Sequence, residues 1–159
     1  MRAVLWMLTK DLLLIAAIVI VFKYVLGVHI QSGNNMYPAI RDGDLILTYK
    51  LEEPIKTDVI VYNANGKEYV GRLIAKEGDT VEVTEEGELK INGVVSTEEI
   101  FYATEFANNT IAYPYKVPKD CYFILNDFRS DITDSRKFGA ISIDDVKGKA
   151  LYVIRRRGF

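Results

Sequence analysis

The pentapeptide Leu45–Tyr49, LILTY, is short, apolar and bounded by turn residues, the pattern of a strand. DVIVY at 58–62 repeats it with three β-branched residues. Working outward, VEV at 81–83 and ELKI at 88–91 alternate charged with apolar side chains, while YFIL at 122–125 and ALYVI at 150–154 read as interior strands. Two Asn-Gly pairs, Asn65-Gly66 and Asn92-Gly93, lie between strand-like runs and suit the positive φ of two-residue hairpin turns. No segment after residue 30 carries a sustained helical apolar stripe. The predicted fold class is all-β: short antiparallel strands forming a sandwich or barrel.

The N-terminal end reads differently. LLLIAAIVIVF at 12–22 holds eleven residues without a polar side chain, and the run extends to Ile30 with interruptions at Lys23, Tyr24, Gly27 and His29. A helix needs about 20 residues to cross a bilayer core, and the stem of Lys23 can carry its ammonium toward the headgroups. The expectation is one N-terminal transmembrane helix, with a membrane anchor over residues 1–30 and a β domain over 31–159. Arg2 and Lys10 precede the apolar run, so the positive-inside rule puts the N-terminus in the cytoplasm and the β domain outside. His29 is expected at the membrane interface.

The 159 residues carry 20 Lys+Arg and 22 Asp+Glu, a net charge of -2. That near balance argues against a nucleic-acid partner. One Cys and one His close neither a disulfide framework nor a structural zinc site, so no metal and no cofactor are expected. Cys121 reads as a buried or half-buried core residue. The balance also hides an asymmetry. Arg2, Lys10 and Lys23 face only Asp11 in the first thirty residues, leaving 17 basic and 21 acidic residues beyond. The acidic runs around 84–87 and 97–99 read as solvated turns, and Arg155-Arg156-Arg157 as a basic tail. Asn108-Asn109-Thr110 forms a glycosylation sequon whose use depends on the source.

Three segments behind this anchor carry a resemblance. Ser32-Gly33-Asn34-Asn35-Met36-Tyr37-Pro38-Ala39-Ile40, followed by Gly43-Asp44, resembles the nucleophile segment of type I signal peptidases. Tyr69-Val70-Gly71-Arg72-Leu73-Ile74-Ala75, continuing through Gly78-Asp79, is similar to the family's base-bearing strand. Asn126-Asp127-Phe128-Arg129 through Asp134-Ser135-Arg136-Lys137-Phe138-Gly139 is similar to its Gly-Asp-Asn-Arg…Asp-Ser-Arg box. The resemblance implies a signal-peptidase-like antiparallel β-sheet domain. It also implies hydrolysis of exported preproteins by a serine that a neutral lysine activates.

The residues depart from that chemistry. The nucleophile position holds Asn35 and the base position Gly71; a carboxamide is a poor nucleophile and glycine offers no amine. The position that orients the lysine with a hydroxyl holds Ile132. Ser32, Lys67 and Lys76 are the available substitutes, and their offsets of three to five residues displace them by roughly 10 Å on a strand. The catalytic set is therefore empty, with Asn35 and Gly71 as vestigial positions. By the resemblance, Arg72, Asp134 and Arg136 form a structural ion cluster. Ser32, Gly33, Asn34, Asn35, Met36, Tyr37 and Gly71 are the expected lining of a retained peptide groove, widened where the lysine is missing, with Met36 and Tyr37 suited to its apolar rim and Pro38 to packing of the domain.

The Asn and Gly pairing resembles an inactive subgroup from Gram-positive pilus loci. That implies a membrane protein assisting sortase-dependent pilus assembly, with a pilin subunit or a sortase as partner. The alternatives are a signal peptidase working with an unconventional residue set and, more remotely, the related self-cleaving repressors.

Overall fold

The computed structural model describes residues 2–97, 100, 102–107 and 110–155, with side chains from Trp6 onward. Glu98, Glu99, Asn108, Asn109, Arg156 and Arg157 lie outside the described residues, and with them the sequon, the 97–99 run beyond Thr97 and the tail beyond Arg155; the 84–87 run is a turn with Glu85 and Glu86 exposed, as expected.

Helix α1 spans Arg2–Tyr24. It ends six residues before Ile30, because Leu26–Ile30 forms β1 and pairs with Leu45–Tyr49, β2, in the register Leu26↔Tyr49 to Ile30↔Leu45. The expected anchor of residues 1–30 is thus helical only to Tyr24, and the apolar run crosses a boundary from helix to strand. Gly27 marks it: a Cβ there would lie 2.5 Å from Thr48 Oγ1 and 2.6 Å from His29 Nε2. His29 belongs to the sheet, bonded to Thr48 Oγ1 at 3.1 Å and to Glu68 Oε1 at 2.9 Å. Lys50 Nζ donates to the carbonyls of Phe22 and Lys23, so a cation caps the negative end of α1. Among the described residues no helix is long and apolar enough to cross a membrane. Lys10-Asp11 and Lys23 bracket eleven apolar residues, about 16 Å of rise against a core of about 30 Å.

The rest is mostly antiparallel sheet, the expected class. β3 (Val59–Ala64) and β4 (Lys67–Lys76) form a hairpin through Asn65-Gly66, whose φ angles of 49° and 74° match a turn with both central residues left-handed. β5 (Thr80–Val83), β6 (Leu89–Ile91) and β7 (Val94–Val95) follow, the last pair joined by Asn92-Gly93 at 54° and 79°. β8 (Tyr115–Lys116), β9 (Cys121–Leu125), a four-residue helix α2 (Ser135–Phe138), β10 (Ile141–Ser142) and β11 (Val146–Ile154) complete the chain. A seven-stranded sheet runs β1-β2-β11-β3-β4-β9-β10, and a four-stranded one β7-β6-β5-β8.

β4 organises the core. Ile74 and Ala75 pack with Phe123 and Leu125 of β9 against Val81, Val83 and Leu89 of the small sheet. Leu73 joins Ile60, Tyr62, Tyr122 and Ile124 in a second cluster. Val70 joins Val61, Ile46, Met36 and Ile40 in a third, which seats the segment after Asn35 against the large sheet. Met36 is fully buried there, so it is a core residue and not the rim residue expected from sequence. Cys121 is a half-buried free thiol.

Candidate active-site region

Asn35 sits in the turn between Gln31 and Ile40, reached by two other segments, β4 and residues 126–128. Its Nδ2 donates to the Val70 carbonyl and to Asn126 Oδ1, each at 2.9 Å. Its Oδ1 accepts from Gln31 Nε2, and its backbone carbonyl accepts from Phe128 N–H at 2.9 Å. Both amide hydrogens and the amide oxygen are therefore engaged. Asn126 continues the chain of amides: its Nδ2 donates to the Asp131 carbonyl and its N–H to Asp134 Oδ2. The third box departs from Gly-Asp-Asn at its first and third positions, and at the first the side chain of Asn126 meets that of Asn35.

Gly71 lies in β4 opposite Ile60, a residue of the second core cluster. A Cβ added there would lie 2.5 Å from Ile124 Cγ2, 3.2 Å from Tyr62 Cε1 and 3.4 Å from the Leu125 carbonyl. The expected widening of the cleft is corrected: Ile124 and Tyr62 occupy the space that a side chain at 71 would need. Tyr62 is fully buried, its ring 5.9 Å from that of Tyr69. Burial, then the nearby Asp134 carboxylate, drives its phenol far above the usual range, so it stays neutral and offers no base.

The charged residues of the box are divided. Arg72 forks onto Asp127, with Nε to Oδ1 at 2.7 Å, and donates Nη1 to the Thr57 carbonyl at 2.7 Å. Asp134 caps α2 through the Arg136 N–H and receives Nε and Nη2 of the Arg136 side chain at 2.9 and 2.6 Å. Arg136 also donates to the carbonyls of Glu105, Arg129 and Asp131, so five N–H groups are used at a site with 1% exposure. The single cluster expected from Arg72, Asp134 and Arg136 is two ion pairs, with Asp127 as the partner that sequence reading missed.

Two clefts flank Asn35. The smaller, about 130 Å³, is bordered by Ser32, Gly33, Tyr69, Asp131 and Thr133, with no lysine among the residues forming it. Lys76 is held elsewhere, 2.6 Å from Glu53 Oε1, and Lys67 lies at the exposed hairpin end. The larger, about 460 Å³, opens between Tyr37 and Phe128. Beside it, β4 runs past the end of β9: pairing to β9 starts at Arg72, and Asn35 takes the Val70 carbonyl. Ser32, Gly33, Asn34 and Tyr37 are exposed around these clefts, whereas Met36 and Gly71 are buried beneath them. Among the described residues no cluster of His, Cys, Asp and Glu suits a metal ion.

The family model for signal peptidase, peptidase S26, matches residues 4–154. The chain belongs to that family. The three segments that carry the resemblance converge here: Asn35 bonds the Val70 carbonyl and Asn126, and Asn126 bonds Asp134. A signal peptidase I from Bacillus caldolyticus is 30% identical over 142 residues, covering 79% of this chain and 78% of its own. Signal peptidase I P from Bacillus subtilis subsp. natto is 34% identical over 139 residues, covering 79% and 74%. A crystal structure of a signal peptidase I from Enterococcus faecalis V583 superposes with a TM-score of 0.54 at 30% identity, covering 65% of this chain and all of that one. Within this signal peptidase fold, Gln31, Tyr62, Ile124, Asn126 and Asp127 are site residues that sequence reading did not single out. Only the altered start of the third box pointed toward one of them.

Proposed function

We propose that this chain is a non-catalytic, signal-peptidase-like membrane protein that holds an exported segment without cutting it. Its context is sortase-dependent pilus assembly, with a pilin subunit or the sortase as the protein held. The observation that carries the reading is the Asn35–Gly71 centre. Acyl transfer needs a hydroxyl beside an amine poised to take its proton. Here an engaged carboxamide stands at one position, and a core isoleucine and a buried neutral phenol crowd the other. The pilus context rests on the resemblance of the Asn and Gly pairing to the pilus-locus subgroup. Binding would use the mode open to an exposed strand edge, with main-chain bonds for affinity and side pockets for selection.

Membrane attachment through α1 belongs to this proposal. Its 23 residues rise about 34 Å, and Leu12, Leu13, Ile15 and Val19 are more than half exposed, an apolar surface that needs a partner. The N-terminus would lie in the cytoplasm and the sheets outside. Deleting the gene tests the function: pilus polymer is lost while signal-peptide removal continues. Normal pilus ladders in the deletion strain would overturn it.

The relatives are named signal peptidase I, which favours preprotein cleavage by an unconventional residue set as the second reading. In that case a preprotein peptide is cut in detergent, and Ser32→Ala or Lys76→Ala abolishes the cut.

A further inference from the structure

The larger cleft beside Asn35 has a chemistry of its own. Three aromatic side chains, Tyr37, Tyr102 and Phe128, contribute to its walls, and its volume of about 460 Å³ falls within the range of specific ligand pockets. Tyr102 and Phe128 meet edge to face, ring centres 5.0 Å apart at 82°, which fixes both planes. Phe128 is tied to the centre through its N–H bond to the Asn35 carbonyl. It also stands where the family's Gly-Asp-Asn pattern has a carboxamide, so an aromatic wall replaces a polar side chain at this point.

The charges at the two sides differ. Arg41 is exposed, its guanidinium 5.4 Å from the Tyr37 ring, and among the described residues it is in no ion pair. The nearby Asp44 carboxylate instead accepts the Arg41 backbone N–H and pairs with Arg155 at 3.6 Å. Asp131, beside Phe128 through its N–H bond to that residue's carbonyl at 2.9 Å, also borders the cleft, and its Oδ1 accepts only the Thr133 N–H among the described bonds. A bound anion is thus drawn to the Arg41 side and repelled from the Asp131 side.

Asn34, Asn35 and Asp131 border this cleft and the smaller one alike, so one extended chain can cross from one to the other past Asn35. That favours a peptide over a compact small molecule. We propose that the cleft selects an extended peptide segment by one large apolar or aromatic side chain, seated between Tyr37 and Phe128, next to an acidic residue facing Arg41. This rests on the reading of the chain as a non-cutting peptide binder and names the segment it holds.

The test uses the full chain in detergent micelles and three acetylated, amidated hexapeptides: Gly-Ser-Phe-Glu-Ser-Gly and the versions with Ala for Phe or Lys for Glu. Calorimetry gives the affinities, and mass spectrometry of the recovered peptide reports cutting. The Ala version should bind about tenfold or more weakly, the loss expected when a ring leaves an apolar pocket. The Lys version should bind several-fold more weakly, and Arg41→Glu, an exposed substitution that leaves the fold intact, should reverse that preference. Phe128→Ala should remove the advantage of Phe over Ala; if its thermal transition is lost, Tyr37→Ala at the exposed wall gives the same reading. Equal binding of the Phe and Ala peptides, an unchanged charge preference in Arg41→Glu, or no binding of any peptide at millimolar concentration would overturn the proposal. A peptide recovered cut would instead overturn the non-catalytic reading, while the ranking of the three peptides still judges the cleft.

Discussion

The Asn35–Gly71 centre and the Asp134–Arg136 floor lie in one constellation, yet they are built on opposite terms. At the floor the residues of the family box are in place and saturated: Asp134 receives two guanidinium bonds, and Arg136 uses five donors in full burial. At the centre Asn35 and Gly71, the positions proposed as vestigial, are enclosed by their neighbours. Asn126 meets Asn35, and Ile124 and Tyr62 fill the room beside Gly71. The difference separates what the fold needs from what the reaction needs. A buried ion pair that loses one partner strands a charge, so it persists whether or not the chain cuts. A nucleophile and base have no such tie, and their sites can become ordinary packing.

The comparison breaks most severely at the floor. Arg136→Met leaves Asp134 buried and unpaired and is expected to cost about 3–5 kcal/mol of stability, read as a lowered midpoint in urea unfolding. A loss below about 1 kcal/mol would mean that the floor is not structural.

The next effect sits at the base position. Gly71→Ala puts a methyl group 2.5 Å from Ile124 Cγ2 and is expected to cost about 1–3 kcal/mol by overpacking. Ile124→Ala removes that carbon, so the same Gly71→Ala change should cost markedly less in its background. Additive losses in this double-mutant cycle would show that Ile124 does not fill the site.

The smallest effect belongs to Asn35→Ala. It unties Val70, Gln31 and Asn126 at once, but the site is half-buried and water can reach the vacated groups. The expected loss is about 1 kcal/mol by thermal unfolding, and a gain in stability would remove Asn35 from its role as a hub.

Legibility in the sequence followed the same division. Leu45–Tyr49 is read as a strand and is β2 to the residue, and both Asn-Gly pairs close hairpins, because period-two burial and positive-φ turns leave local signatures. The helix end at Tyr24 was hidden, since β1 continues the apolar run of α1 and differs from it only in its partner. Asn35 and Gly71, where the chain departs from the pattern it resembles, are visible in the letters alone. What filled the space is not, because Ile124 reaches Gly71 across a strand pair, and Asn126 reaches Asn35 from 91 residues away. Likewise, Asp127 as the partner of Arg72 comes from the pairing of β4 with β9, which no spacing encodes.

The central claim is that this centre binds without cutting. Its most direct test incubates the purified full chain, in detergent, with a preprotein carrying an intact signal peptide, and analyses the products by mass spectrometry. The expected result is uncut preprotein at all times, in the wild-type chain and in Ser32→Ala and Lys76→Ala alike. A cut at the signal-peptide junction that appears with the wild-type chain and disappears in either variant would contradict it.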